Sequence, residues 1–192
     1  MDSEQRRRYQ TAMVSTSCPE TGFVDKITMR DGIERWQCPP QAWHRSDILA
    51  SLRSGKVFIV NSRRRNGLII FKGYHAEFAG PGAVVGGDYD QDCQLLLPIG
   101  NLSLLTPESH EDRQKAYLIR RQWIRLIKQI TENSVPGERV QKIIDQFEQY
   151  FPAEIVAELP DMAFAMLVGV LPQTVAIVRR LGSDADGYFN YE

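Results

Sequence analysis

The chain has 192 residues, of which 43% are hydrophobic, and its 23 basic and 24 acidic residues leave a formal net charge of -1. This hydrophobic content excludes a disordered or fibrous protein, and the balanced charge excludes a global field that drives the chain onto nucleic acid. Because no run of about 18 apolar residues and no signal peptide is present, we expect a cytoplasmic protein without a membrane partner.

Residues 1–22 are polar and predict a loosely ordered arm. Residues 23–105 predict an antiparallel β-rich domain shaped as a small barrel or jelly roll, because β-branched and aromatic segments alternate there with turn residues. Ser46–Arg53 has helical spacing and a serine that can cap it, which predicts a short helix within the β region. The predicted strands are Phe23–Met29, Lys56–Val60, Leu68–Phe71 and Leu95–Leu97.

The turn at residues 62–67 carries the densest positive charge in the chain. Its three adjacent arginines, Arg63, Arg64 and Arg65, are candidate accessory phosphate contacts. Two alternatives stay open at this point: a grip on phosphate or an acidic partner, and a solvated tip.

No catalytic or metal-binding motif is present. The three histidines and three cysteines lack HExxH, CxxC or other ligand spacing, and no GxSxG elbow occurs. The glycine-rich residues 80–87 lack a phosphate-loop ending and predict turns between strands. Residues 88–92 lack the glycine of an EF-hand and predict a solvated acidic loop. We therefore predict a protein that is not an enzyme and has no metal and no cofactor.

Residues 106–134 predict a long linking helix, which begins either at Thr106-Pro107 or at a second cap near Ser109. The apolar stripe of this helix can bury against the β domain or against the same helix of a second subunit, and we favour a homodimer. The predicted dimer interface consists of Ile119, Trp123, Ile127 and Ile130. The basic residues of the same helix, Arg120, Arg121, Arg125 and Lys128, are predicted to form a solvated flank.

Val135-Pro-Gly137 marks a boundary, and residues 135–192 predict a helix-turn-helix domain. A steep helix pair needs a small residue where the backbones approach, a glycine at the turn and an apolar inner face. The four residues at these positions are Ala165, Gly169, Val175 and Val178.

Three segments of this domain, residues 138–147, 158–163 and 168–181, resemble Crp/Fnr-type transcription regulators. The resemblance implies that residues 23–105 form a sensor-like, cyclic-nucleotide-binding-like β domain, followed by a dimerisation helix and a winged helix-turn-helix. It also implies that Gln173, Thr174, Arg179 and Arg180 face double-stranded DNA.

This chain departs from the family pattern at several positions. Leu171, Pro172 and Gln173 stand where the family has a polar cap, a basic residue and a glutamate, and Ile177 stands where it has a further basic residue. Residues 82–98 contain no arginine for a cyclic-nucleotide phosphate, so the signal stays unidentified.

Two functions follow from these patterns. The first is a dimeric Crp/Fnr-like DNA-binding transcription regulator. The alternative is a protein-interaction module on the same scaffold that has lost sequence-specific DNA binding, with Leu171, Ile177 and Leu181 docking another protein or packing internally.

Overall fold

The computed structural model describes residues 46–187, and side chains over residues 48–182. All the described residues belong to one compact unit. The predicted arm at residues 1–22 and the predicted strand Phe23–Met29 lie outside the described residues.

The described β region consists of two separate three-stranded antiparallel sheets. The first has the order β4-β1-β6 and aligns Phe58 with Val85, and the second has the order β3-β2-β5 and aligns Ile69 with Phe78 and Leu97. The predicted strands in residues 56–97 are confirmed. The elements of this region are α1 (Ser46–Arg53), β1 (Val57–Val60), β2 (Gly67–Phe71), β3 (Ala76–Ala79), β4 (Val84–Gly86), β5 (Leu95–Ile99) and β6 (Leu104–Leu105).

The strands described do not close into a barrel, which corrects the barrel expectation. β1 and β2 are each the central strand of their own sheet, and no described pairing joins the two sheets. All five residues of β2 are buried, as is typical of a strand covered on both faces. The coarser α+β class is confirmed.

Five helices follow the sheets: α2 (His110–Thr131), α3 (Pro136–Tyr150), α4 (Ala153–Glu158), α5 (Asp161–Val168) and α6 (Pro172–Gly187). Helix α2 begins at the second of the two predicted caps, because the Ser109 side chain accepts a hydrogen bond from the Asp112 amide at 3.0 Å. Pro136 occupies the first turn of α3, where its missing N–H costs nothing.

An aromatic cluster joins the second sheet to these helices. The ring of Phe78 on β3 lies 4.8 Å from Trp123 of α2 and 4.8 Å from Phe147 of α3, measured between centroids. Phe147 in turn lies 5.5 Å from Phe164 of α5. The sheet and the helices therefore share one core.

Helices α5 and α6 meet at a steep angle. The chain direction bends by 115° between them, and Gly169 ends α5 in the left-handed conformation with φ 65° and ψ 51°. Within the described residues, no single helix has the length and apolar character needed to cross a membrane, although Asp161–Val168 and Pro172–Gly182 satisfy both criteria when taken together as a bent pair.

Candidate nucleic-acid interface

The inner face of the α5–α6 pair is closely packed. Ala165 and Val175 are buried, and Val178 is partly buried against the same core. The Gly169 amide donates to the Ala165 carbonyl, and the Val170 amide donates to the same carbonyl at 3.1 Å. These contacts fix how α6 leaves the turn and which of its faces points outward.

Two predicted DNA-binding residues lie in the first turn of α6. Gln173 is exposed, and Thr174 is half-buried. The Thr174 amide donates to the Leu171 carbonyl at 3.0 Å, which closes this first turn. Gln173 therefore lies in the exposed first turn of α6, next to the turn that joins this helix to α5.

The structure places Arg179 on the inner side of α6. Its Nη1 lies 2.9 Å from Asp161 Oδ1, its Nη2 donates to the Val156 carbonyl at 3.2 Å, and its guanidinium carbon lies 4.9 Å from the Phe164 ring centroid. Burial lowers the pKa of Arg179, and the Asp161 carboxylate opposes that shift. Arg179 therefore ties α6 to α4 and α5, a role that sequence spacing did not indicate.

Arg180 is exposed on the next position of α6. Its Nε donates to the Ala176 carbonyl at 3.1 Å. The two adjacent arginines thus have different surroundings, one inside the helix cluster and one on its surface.

Three large apolar side chains are exposed on α6 and at the residue that precedes it. Leu171 is 69% exposed, Ile177 is 51% exposed and Leu181 is 65% exposed. Ile177 and Leu181 are four residues apart and therefore share one face of α6. Neighbouring exposed apolar side chains of this kind are typical of a contact surface. The expectation that these residues pack internally is wrong for the described residues.

The predicted dimer residues on α2 are mostly covered by their own chain. Trp123, Ile127 and Ile130 are buried in the core, whereas Ile119 is partly exposed.

A groove of about 320 Å³ lies beside α2, and we call it the α2 groove. Leu118 projects from the helix with 57% of its surface exposed. The α2 groove is lined by Pro81, Ile119, Gln122, Trp123, Leu126 and Tyr150.

A buried ion cluster, formed by Lys72, Glu77, Asp90 and Arg120, was not predicted. Arg120 is only 1% exposed, and its Nη2 lies 2.6 Å from Glu77 Oε2 and 3.3 Å from Asp90 Oδ1. Lys72 Nζ lies 3.2 Å from Glu77 Oε1. The Gly86 amide donates to Asp90 Oδ2 at 2.7 Å. The cluster joins α2 to β3 and to the loop after β4.

Two predictions are corrected by this cluster. Arg120 belongs to the interior and not to a solvated flank, and Asp90 is buried although Asp88 and Asp92 beside it are exposed. Burial works to raise the pKa of Glu77, but Arg120 and Lys72 hold it below the ordinary value. Burial raises the pKa of Asp90 in spite of Arg120.

The described part of the chain offers few other groups that could act as a nucleophile or bind a metal ion. Cys93 is buried, and burial raises the pKa of its thiol, so the reactive thiolate is disfavoured. Among residues 46–187, no three His, Cys, Asp or Glu side chains form a group that could hold a metal ion.

Comparisons with protein-family models, with curated proteins and with solved structures return no match to this chain. The Crp/Fnr resemblance therefore rests on the residues of the chain, and the functional argument rests on its geometry.

Proposed function

We propose that this chain is a dimeric, Crp/Fnr-like DNA-binding transcription regulator in which α5 and α6 form a helix-turn-helix. The observation that carries the proposal is the 115° bend at a left-handed Gly169, with α6 exposed beyond it. DNA-binding helix-turn-helix pairs cross at about 90–120° through a short turn that often contains glycine. In this proposal α6 is the recognition helix.

Base recognition would then depend on the first turn of α6. A glutamine side chain can bind adenine in the major groove through paired donor and acceptor atoms, and a threonine hydroxyl accepts or donates to either base type. Gln173 and Thr174 occupy these positions. Arg179 is held by Asp161 and Val156, so we assign it to positioning α6 and not to reading bases. Arg180, on the outer surface, is the candidate backbone contact.

The two-fold partner would meet α2 across the α2 groove and Leu118. A dimeric helix-turn-helix protein reads two half-sites when its recognition helices lie about 34 Å apart, one turn of the duplex. Since Trp123, Ile127 and Ile130 are covered within one chain, the proposed dimer face is the outer side of α2, with Leu118, Ile119 and Leu126. The β region would then be a degenerate, jelly-roll-like sensor for an unidentified signal.

The test is binding of duplex genomic fragments by the full chain at low salt, with bound sequences recovered and read. We expect Gln173→Ala with Thr174→Ala to remove the sequence preference. Gln149→Ala, at an exposed glutamine on α3, is the matched control and should bind as the wild type does. If wild-type protein binds no fragment at low salt, the proposal is wrong.

The second candidate function is protein binding by the outer face of α6, and the exposed Leu171, Ile177 and Leu181 favour it. The occupant that such a face fits is an apolar surface on another protein. The α6 variants separate the two functions. If protein docking is the function, neither the wild type nor Ile177→Asp with Leu181→Asp should bind duplex DNA. If α6 enters DNA, the same double variant should abolish the duplex binding that the wild type shows.

A further inference from the structure

The turn between β1 and β2, residues 61–66, is the most basic exposed feature of the described chain, and we call it the arginine turn. Arg63, Arg64 and Arg65 are all exposed, and no ion pair within residues 46–187 involves them. No acidic residue occurs from Asn61 to Phe71. Three charges therefore stand together on a chain whose net charge is -1.

The backbone of the arginine turn is fixed by two asparagines. Asn66 is fully buried, and its Nδ2 donates to the Asn61 carbonyl at 3.0 Å and to the Arg64 carbonyl at 3.2 Å. The Arg63 amide donates to Asn61 Oδ1 at 3.0 Å. A partner that binds here does not have to order the backbone, so only the arginine side chains lose freedom.

The arginine turn is followed directly by Gly67, which packs against aromatic rings of the second sheet and of the helices. A Cβ added at Gly67 would lie 2.6 Å from the Phe78 ring and 3.3 Å from the ring of Phe151, at the junction of α3 and α4. Phe151 lies 5.9 Å from Phe147, which packs on Phe164 of α5. The arginine turn is thus mounted on the same packed body that carries α5 and α6.

We infer that the arginine turn is a second, sequence-independent contact to the phosphate backbone of duplex DNA. Guanidinium groups bind phosphate oxygens through paired, charge-assisted hydrogen bonds. The contact would add affinity without base discrimination, which suits a recognition helix with little positive charge of its own. The inference rests on the proposed DNA-binding function.

The test compares the triple variant Arg63→Gln, Arg64→Gln and Arg65→Gln with the wild type on a duplex that the wild type binds. The matched control is Lys56→Gln, Arg113→Gln and Lys142→Gln, which removes the same charge from exposed positions that do not neighbour Leu118. The slope of log Kobs against log salt should shrink by about 0.9 for each phosphate that the variant no longer neutralises. We expect this change in the turn variant and not in the control, with sequence preference kept.

The outcomes separate the two proposals. An unchanged salt slope in the turn variant overturns the inference and leaves the proposed function standing. Sequence preference that survives Gln173→Ala with Thr174→Ala, together with a reduced slope in the turn variant, overturns the proposed role of α6 alone. If the turn variant keeps its DNA slope but loses binding to poly-glutamate, the partner is an acidic protein surface and the inference fails. Absence of all duplex binding overturns both.

Discussion

Gly169 lies at the turn between α5 and α6, where its φ of 65° belongs to the left-handed region. A Cβ added there would meet no atom within 4 Å, so the backbone angle and not crowding requires glycine. We expect Gly169→Ala to lower the free energy of unfolding by about 1–2 kcal/mol, because a side chain in this conformation meets its own carbonyl oxygen. Urea unfolding measures the change.

Gly182 is the matched control for this substitution. It lies within α6 and an added Cβ there also meets nothing, but its φ is not positive. Gly182→Ala should therefore raise the free energy of unfolding by roughly 0.5–1 kcal/mol through reduced chain entropy. Equal effects of the two substitutions would contradict the assignment of strain to the Gly169 backbone.

Glu77 provides a pH-dependent part of the stability. Its folded pKa is lowered by Arg120 and Lys72 against the effect of burial. A carboxyl group with a lowered folded pKa stabilises the fold fully above its unfolded pKa, and this contribution is lost as the pH falls through the folded pKa. At neutral pH we expect the wild type to have a higher free energy of unfolding than Glu77→Gln. This difference should shrink as the pH falls below 4.5, the ordinary pKa of a glutamate.

The measurement is a series of urea unfolding curves for both proteins from neutral to acidic pH. Asp90 has the opposite dependence, since a raised folded pKa gives a contribution that is lost as pH rises. Comparing wild type with Glu77→Gln removes the part of the Asp90 effect that both proteins share. A difference that stays constant across the acidic range would show that Glu77 is not the titrating group.

The sequence predicted some of these residues and missed others for a physical reason. Gly169 and Val175 were found because a turn and an inner helix face have local spacing rules. Arg120 also falls on the apolar stripe, four residues after Ala116 and three before Trp123, but a charged residue is ordinarily assigned to the outer face. Its partners Glu77 and Asp90 are 43 and 30 residues away in sequence, so no local pattern reveals the pairing.

At the scale of elements, α2 packs against the second sheet through the side chain of Trp123. The Trp123 ring covers Gly80 so closely that an added Cβ would lie 2.3 Å from it. We expect Gly80→Ala to cost about 1–3 kcal/mol of unfolding free energy, the usual effect of overpacking. In the background of Trp123→Ala the ring is gone, and the same substitution should cost little.

The measurement is a double-mutant cycle of Gly80→Ala and Trp123→Ala by urea unfolding. The single change Trp123→Ala should itself cost about 3–5 kcal/mol, as is usual for a buried tryptophan. A coupling energy near zero would mean that Gly80 does not support α2 through this ring. Additive effects are expected only for residues that do not touch.

Element positions were largely predictable, whereas their pairing was not. Strands β1, β2 and β5 follow β-branched and aromatic runs, and Ser109 follows a capping rule. The barrel expectation failed because closure depends on which strands become neighbours, and that is decided by long-range pairing. β1 pairs with β4 and β6, and β2 pairs with β3 and β5.

At the scale of the whole molecule, the proposed DNA-binding function requires two copies of α6 in fixed relation. One chain covers Trp123, Ile127 and Ile130 within its own core, so the proposed dimer would have to form through other residues. The outer side of α2 offers Leu118 and the α2 groove, with Ile119 and Leu126 half-buried along its wall. A two-fold pairing there would bury the same patch twice.

We expect the full chain to sediment at twice the mass of one chain, and Leu118→Asp to give a single-chain species. An aspartate buried in an apolar interface is left without a partner, which disfavours association strongly. Leu105→Asp is the matched control, because Leu105 is an exposed leucine on β6, a strand that pairs with β1. The Leu105→Asp variant should remain a dimer.

Duplex binding by Leu118→Asp should weaken at the same time, since a single recognition helix reads one half-site. A wild-type chain that sediments as a monomer at micromolar concentration would contradict this face, and so would a Leu118→Asp variant that stays dimeric.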